Sequence, residues 1–245
     1  MNLYVDIGNS RIRLAGDNLG VDHVTAFYYT PETLPVLFDT HCRIYPPPDR
    51  VLVSNVAGTK VAELFTSQCV SAWSKEPEYI MVSRKSCGVI NAYTDISQLG
   101  VDRWLSVIAA WNKYKSNLCV IDCGSAVTAD IVAADGQHLG GYIIPGRYMM
   151  EQALVNNTGR IVIRGDNKFT GRAGRSTEEC VYNGTILAII SFIEHVIDAV
   201  NKHQNDEYVC ILTGGGAEAI MKLMKIHYLH EPLLVLEGIR LAGGS

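Results

Sequence analysis

At 245 residues, 48% of them hydrophobic and 19% charged, the chain exceeds the roughly 100 to 150 residues of a typical domain, so it has material for one large or two moderate cores. Lysine and arginine number 21 against 25 aspartate and glutamate, a net charge of -4 with neutral histidines, which leaves no general electrostatic footprint for nucleic acid or an anionic membrane surface. The first residues enter a strand with neither a basic leader nor a cleavable apolar segment, so the cytoplasm is the expected location, with no nucleic acid and no membrane as partner.

In chain order, the apolar run Leu3-Tyr4-Val5 ends in Asp6-Ile7-Gly8-Asn9-Ser10, and Arg11 to Ala15 returns, so a hairpin is predicted over Met1 to Ala15. Pro46-Pro47-Pro48 marks a loop before the strand Val51-Leu52-Val53-Ser54, and a helix is predicted around Lys60 to Gln68. Arg103 to Lys115 carries Trp104, Val107, Ile108 and Trp111 at helical spacing, a stripe suited to core packing. Asp102 stands near the start of that helix, where the N-terminal dipole favours a carboxylate. A second hairpin is predicted over Leu118 to Ala133, then an apolar strand through Gly140 to Gly146, then helices from about Met149 and about Thr177. Thr185 to Val200 is shorter than the roughly 20 residues of a typical membrane span and carries Glu194, His195 and Asp198, so it is read as a buried amphipathic helix. Val209 to Leu212 is a buried strand leading into Thr213-Gly214-Gly215-Gly216 and a helix beginning near Ala217, an order that suits nucleotide contact. Neither a Rossmann fingerprint nor a P-loop motif is present.

The seven cysteines (42, 69, 87, 119, 123, 180 and 210) form no C-x-x-C pair and no zinc spacing, so they read as free thiols, mostly in the core. Cys123 differs in lying inside Asp122-Cys123-Gly124-Ser125-Ala126, the second run that follows an apolar strand with Asp-x-Gly. In both runs glycine permits a tight turn with N–H groups turned to a polyanion, while Asn and Ser add hydrogen bonds. Asp6 and Asp122 beside phosphate make physical sense if a cation sits between the charges, so the pattern implies metal. Each run alone is more readily an ordinary turn, and Asp102 alone is more readily a helix cap; two copies directly after apolar strands favour a phosphate-transfer reading.

In order and spacing, Asp6-x-Gly8-Asn9-Ser10, Tyr93 to Gly100-x-Asp102-Arg103, Asp122-x-Gly124-Ser125-Ala126, Gly140-Gly141-x-Ile143-x-Pro145-Gly146 and Thr177 to Gly184 resemble the type III pantothenate kinases, of the actin, sugar kinase and Hsp70 superfamily. The resemblance runs from the first strand to Leu236-Glu237-Gly238. It implies an α/β fold of two similar actin-like, ribonuclease H-like halves, 1–115 and 116–245, each a mixed sheet flanked by helices, with ATP in the cleft. It also implies ATP-dependent phosphorylation of pantothenate, the first step of coenzyme A synthesis, by a homodimer. Asp6, Ile7, Gly8, Asn9, Ser10, Arg11, Ile12 and Arg13 would form the first phosphate loop, with Ser125 in the second. Tyr93, Gly100, Val101, Asp102 and Arg103 would line the pantothenate pocket, closed by Thr177, with Arg103 on the substrate carboxylate. Asp102 would be the general base, Asp122 would hold potassium or ammonium, and Mg²⁺ would bridge the ATP phosphates. The chain departs from the family pattern at Ser125, usually threonine, at Ile96, proline in many members, and at Arg13, often lysine. Two other functions share these features: another small-molecule kinase of the superfamily, such as a sugar kinase, and a non-catalytic nucleotide-binding transcription accessory factor.

Overall fold

The structure, a computed structural model, describes residues 1–163, 169–204 and 206–244. It divides into two compact units, the first formed by Met1–Lys115, Val132–Gly140 and Pro232–Ser245, the second by Ser116–Ile131 and Gly141–Glu231.

The first unit begins with the predicted hairpin, β1 (Asn2–Ile7) and β2 (Arg11–Ala15), then β3 (Thr25–Tyr28), α1 (Leu34–His41), β4 (Arg50–Asn55), α2 (Thr59–Trp73) and the short β5 (Glu78–Tyr79). The sheet order is β3-β2-β1-β4-β5, with β1 antiparallel to β2 and parallel to β4. β1 is apolar on both faces because both faces are covered. Leu3, Val5 and Ile7 pack with Phe38 and Phe65 of α1 and α2, whereas Tyr4 packs in a second cluster with Leu105, Leu236 and Ile239. Each fully buried aliphatic side chain there contributes about 1.5–3 kcal/mol.

A small hairpin, β6 (Lys85–Ser86) and β7 (Val89–Ile90), precedes α3 (Val101–Tyr114). α3 starts two residues before the predicted Arg103, and Gly100 is its N-cap. Residues Trp104 to Ala110 are buried, so the predicted tryptophan stripe is a helix packed on most of its circumference.

The second sheet is built from β8 (Leu118–Cys123), β9 (Ala126–Val132), β10 (His138–Pro145), β11 (Val209–Thr213) and β12 (Tyr228–His230), in the order β10-β9-β8-β11-β12, with β11 parallel to β8 and β12. The predicted helices are α4 (Arg147–Asn157) and a single 28-residue α5 (Thr177–Gln204), whose Ile186, Ile189, Ile190, Ile193 and Ile197 pack on Cys119, Ile121 and Cys123. α5 is long and apolar enough to cross a membrane by length and composition, but half of its most apolar stretch is buried inside the fold. The helix expected near Ala217 is the single turn α6 (Glu218–Met221). The strand read at Gly140 to Gly146 is part of β10, and it differs in a second way: Tyr142 and Ile143 are exposed despite its apolar sequence. α7 (Leu234–Ala242), in the first unit, packs its Leu236 and Ile239 with Val101 and Leu105 of α3.

Candidate active site

Because β1 and β2 pair with Asp6 opposite Arg13, these two side chains meet: Nη2 and Nε of Arg13 donate to Asp6 Oδ2 at 2.8 and 3.2 Å, and Nη1 donates to the Pro232 carbonyl at 3.2 Å. Arg13, expected near the phosphates, is thus held by the aspartate of its own hairpin. Asp6 is buried, and its Oδ1 has no hydrogen-bond partner. The tip closes by a Gly8 N–H to Arg11 carbonyl bond of 3.0 Å. Behind it stands Tyr29, which carries no motif: its hydroxyl donates to the Gly8 carbonyl at 2.8 Å and its N–H to the Ser10 carbonyl at 3.2 Å. Burial, and then the nearby Asp6 charge, raise the Tyr29 pKa, so the phenol stays a donor. Asn9 and Ser10 are exposed at the tip, whereas the Ile7 and Ile12 side chains are core, which leaves only their backbone to meet a ligand. Arg11 stacks over Tyr28 at 5.7 Å.

The second tip repeats the closure, with Gly124 N–H donating to the Ala126 carbonyl at 2.9 Å. It is backed by Gly146 N–H to the Ser125 carbonyl at 2.9 Å and Gly216 N–H to the Cys123 carbonyl at 2.8 Å. Gly214 has φ +90°, and a side chain there would begin 2.3 Å from Asp122 Oδ1 and 2.6 Å from the Cys123 backbone. The glycine run after β11 therefore leaves space for the Asp122 carboxylate. Ser125 is exposed. Cys123 is buried, and desolvation, then the Asp122 charge, push its thiol well above the ordinary range, which keeps it protonated and unreactive.

Tyr93, Asp102 and Arg103 belong together in the first unit. Arg103, 7% exposed, donates from Nη1 to the Tyr93 hydroxyl at 3.0 Å, and its guanidinium lies 5.8 Å from the centre of that ring. The ring also stacks with the fully buried His138, parallel to within 10° at 6.1 Å. Asp102 is in the first turn of α3, where its Oδ1 accepts the Arg103 N–H at 2.8 Å, and the absence of a side chain at Gly100 leaves room for that carboxylate. Val101 is buried against α7. Thr177, in the second unit, is exposed in the first turn of α5, which Ser176 caps by accepting the Glu179 N–H at 3.2 Å.

Cation binding can be tested against the donors present. Among the described residues no three His, Cys, Asp or Glu side chains cluster, so a cation would complete its shell with backbone oxygens and substrate. The buried, unpartnered Asp6 Oδ1 is an open oxygen donor, and the second tip offers Asp122 with the Ser125 hydroxyl. An all-oxygen donor set fits hard cations such as Mg²⁺ and K⁺.

The first strand of each of the two mixed sheets ends in an acidic glycine tip, and the fold is α/β of the actin-like class. Solved structures agree on the fold. A Campylobacter jejuni protein described as a Baf-family transcriptional activator superposes with TM-score 0.60 at 19% identity, covering 97% of this chain and 94% of that one. A Sinorhizobium meliloti protein described as a 2-dehydro-3-deoxygalactonokinase superposes with TM-score 0.58 at 13% identity, covering 99% and 96%. The family model for type III pantothenate kinase matches residues 2–199. Type III pantothenate kinases of Nitrosococcus oceani and Marinobacter nauticus are 34% and 36% identical, covering 98% and 91% of this chain and 92% and 90% of their own. The chain belongs to the type III pantothenate kinase family, and is a phosphotransferase.

Proposed function

We propose residue roles for the reaction of this family, the ATP-dependent phosphorylation of pantothenate at the first step of coenzyme A biosynthesis. Asp102 takes the proton from the primary hydroxyl of pantothenate as that oxygen bonds to the γ-phosphorus of ATP and the bond to the β,γ-bridging oxygen breaks. Arg103 pairs with the substrate carboxylate, Tyr93, Gly100 and Val101 line the substrate pocket, and Thr177 is a further substrate-binding residue. The observation that carries this reading is the Arg103–Tyr93 pair beside Asp102 at the start of α3, an acid and a buried cation in adjacent positions of a rigid element. The N-terminal end of the helix favours the ionised, proton-accepting form of the acid.

Residues Asp6 to Arg13 and Ser125 hold the ATP phosphates through the two tips. Mg²⁺, beside the open oxygen of Asp6, would neutralise phosphate charge during transfer. Asp122 holds potassium or ammonium. The working division is a first phosphate loop in residues 1–115 and a second in 116–245, and the location is the cytoplasm. A homodimer is supported by exposed apolar residues in the second unit: Tyr142, Ile143, Tyr148, Met149, Leu154 and Leu187. The testing experiment is ATP-dependent conversion of pantothenate by the purified chain with Mg²⁺, in potassium and in sodium buffer. Potassium-stimulated phosphopantothenate is expected. No product from folded protein in either buffer, with turnover of a hexose, would move the assignment to a sugar kinase.

A further inference from the structure

Tyr93 lies on an irregular stretch between β7 and α3, yet its ring must meet Arg103 to within a hydrogen bond. Such a stretch gains no order from a sheet ladder or a helix, so something else must fix it. Arg84, the residue just before β6, donates from Nη1 to the carbonyls of Asn91 and Tyr93 at 3.1 and 2.6 Å and from Nη2 to the carbonyl of Thr94 at 3.0 Å. Its own carbonyl accepts the Asn91 N–H at 2.9 Å. From the other side the buried Asn91 turns back, its Oδ1 accepting the Tyr93 N–H at 2.9 Å. Three carbonyls and two N–H groups of residues 91–94 are thereby tied to Arg84 and Asn91.

We propose that Arg84 is a positioning residue for pantothenate: it fixes the backbone that presents Tyr93 to Arg103 and so sets substrate affinity through Tyr93. This rests on the reading of Tyr93 as part of the pantothenate pocket. A planar guanidinium is what the task requires, because its fork of fixed donors reaches three carbonyls, whereas an ammonium is a single point. Arg84 is exposed, so its removal leaves no cavity in the core.

The backbone also supplies an independent way to restore the order. Asp95 has φ -100° and ψ 104°, the extended conformation of a residue before proline, and Ile96 opens the short 3-10 turn Ile96–Gln98, a first-turn position that accepts proline. Proline there reduces the freedom of the loop without a new contact.

The test is steady-state kinetics on Arg84→Met, Arg84→Lys, Arg84→Met/Ile96→Pro and Tyr93→Ala in the full chain, with thermal unfolding as the fold check. Arg84→Met is expected to raise the pantothenate KM about tenfold, the scale of one lost charge-assisted contact, with kcat and the ATP KM within about twofold. Arg84→Lys should fall between, and the added proline should recover most of the loss. An unchanged pantothenate KM in Arg84→Met, an equal rise in both KM values, or no rescue by proline would each overturn the proposal. Should Arg84→Met fail to fold, the same split is read from Arg84→Lys. If Tyr93→Ala leaves the pantothenate KM unchanged, the pocket reading fails; if it raises that KM while Arg84→Met does not, the clamp alone is wrong.

Discussion

Gly238→Ala would drive a side chain into the backbone of a neighbouring helix. Gly238 is in the middle of α7, and an ideal Cβ there would stand 2.2 Å from the Leu105 carbonyl oxygen, 2.6 Å from its carbon and 2.8 Å from its Cβ. Ordinary contact begins at 3.4 Å, so α7 and α3 would have to part by 3.4 − 2.2 = 1.2 Å against helix backbone that cannot swing aside. Overpacking of this kind costs roughly 1–3 kcal/mol, against a helix-propensity gain of at most about 1 kcal/mol. A shortfall of 1.2 Å against backbone puts the cost at the upper end, and the net loss of about 2 kcal/mol lowers Tm by roughly 4–8 °C for a protein of this size. Because α3 carries Asp102 and Arg103 in its first turn, the pantothenate KM should rise with the loss of stability. Gly184→Ala in α5 is the control, since its Cβ would meet nothing within 4 Å and should stabilise by propensity alone. Thermal unfolding of both variants decides: Gly238→Ala as stable as the parent would refute the close approach of α7 to α3.

Asp102→Asn should keep the fold and ATP binding while lowering kcat about 10²-fold or more, the scale of a positioned base; single-turnover kinetics showing unchanged transfer would remove Asp102 from that role. Asp122→Ala should flatten the stimulation by potassium, and a variant that retained the full response would place the ion elsewhere. Burial pushes the Cys42 and Cys210 thiols from 9.0 up to about 12. Above pH 9 the unfolded chain releases protons that the native chain keeps, so stability is intact below that pH and falls as pH rises towards 12, by at most about 1.4 kcal/mol per pH unit per thiol. Urea unfolding against pH should fall less steeply for Cys42→Ala/Cys210→Ala than for the parent, and identical slopes would refute the linkage.

The two tips were legible because everything that makes them is local: an apolar run, then Asp, Gly and small polar residues, then a second strand, with the Gly8 and Gly124 N–H bonds closing the turn. The start of α3 was legible for the same reason, although its first turn came two residues earlier than the apolar stripe suggested. What the sequence did not show is mostly tertiary. α7 packs on α3 across more than 100 residues of intervening chain, and nothing within Leu234–Ala242 names Leu105 as its neighbour. Tyr29 supports the Gly8 carbonyl from β3's far end without any motif. The exposure of Tyr142 and Ile143 contradicts their apolar pattern, because hydropathy records what a side chain prefers and not what finally covers it. The Asp6–Arg13 pair could have been read from the hairpin, since a tip closed by Gly8 and Arg11 sets positions 6 and 13 opposite one another.

The residues proposed for the pantothenate pocket draw their order from two unlike sources. Asp102 and Arg103 inherit theirs from a helix whose next seven residues are buried, so they are placed by the apolar core of the first unit. Tyr93 depends on polar bonds instead, from the buried Asn91 and from the exposed Arg84, whose bonds are weakened by competition with water. Damage to the α3 core should therefore reach stability, turnover and substrate affinity together, as with Gly238→Ala. Damage to the surface clamp should reach substrate affinity alone. For phosphoryl transfer, where most of the rate comes from positioning and electrostatics, that separation would keep the proposed proton acceptor on the rigid element and leave the adjustable contact to the substrate's other end.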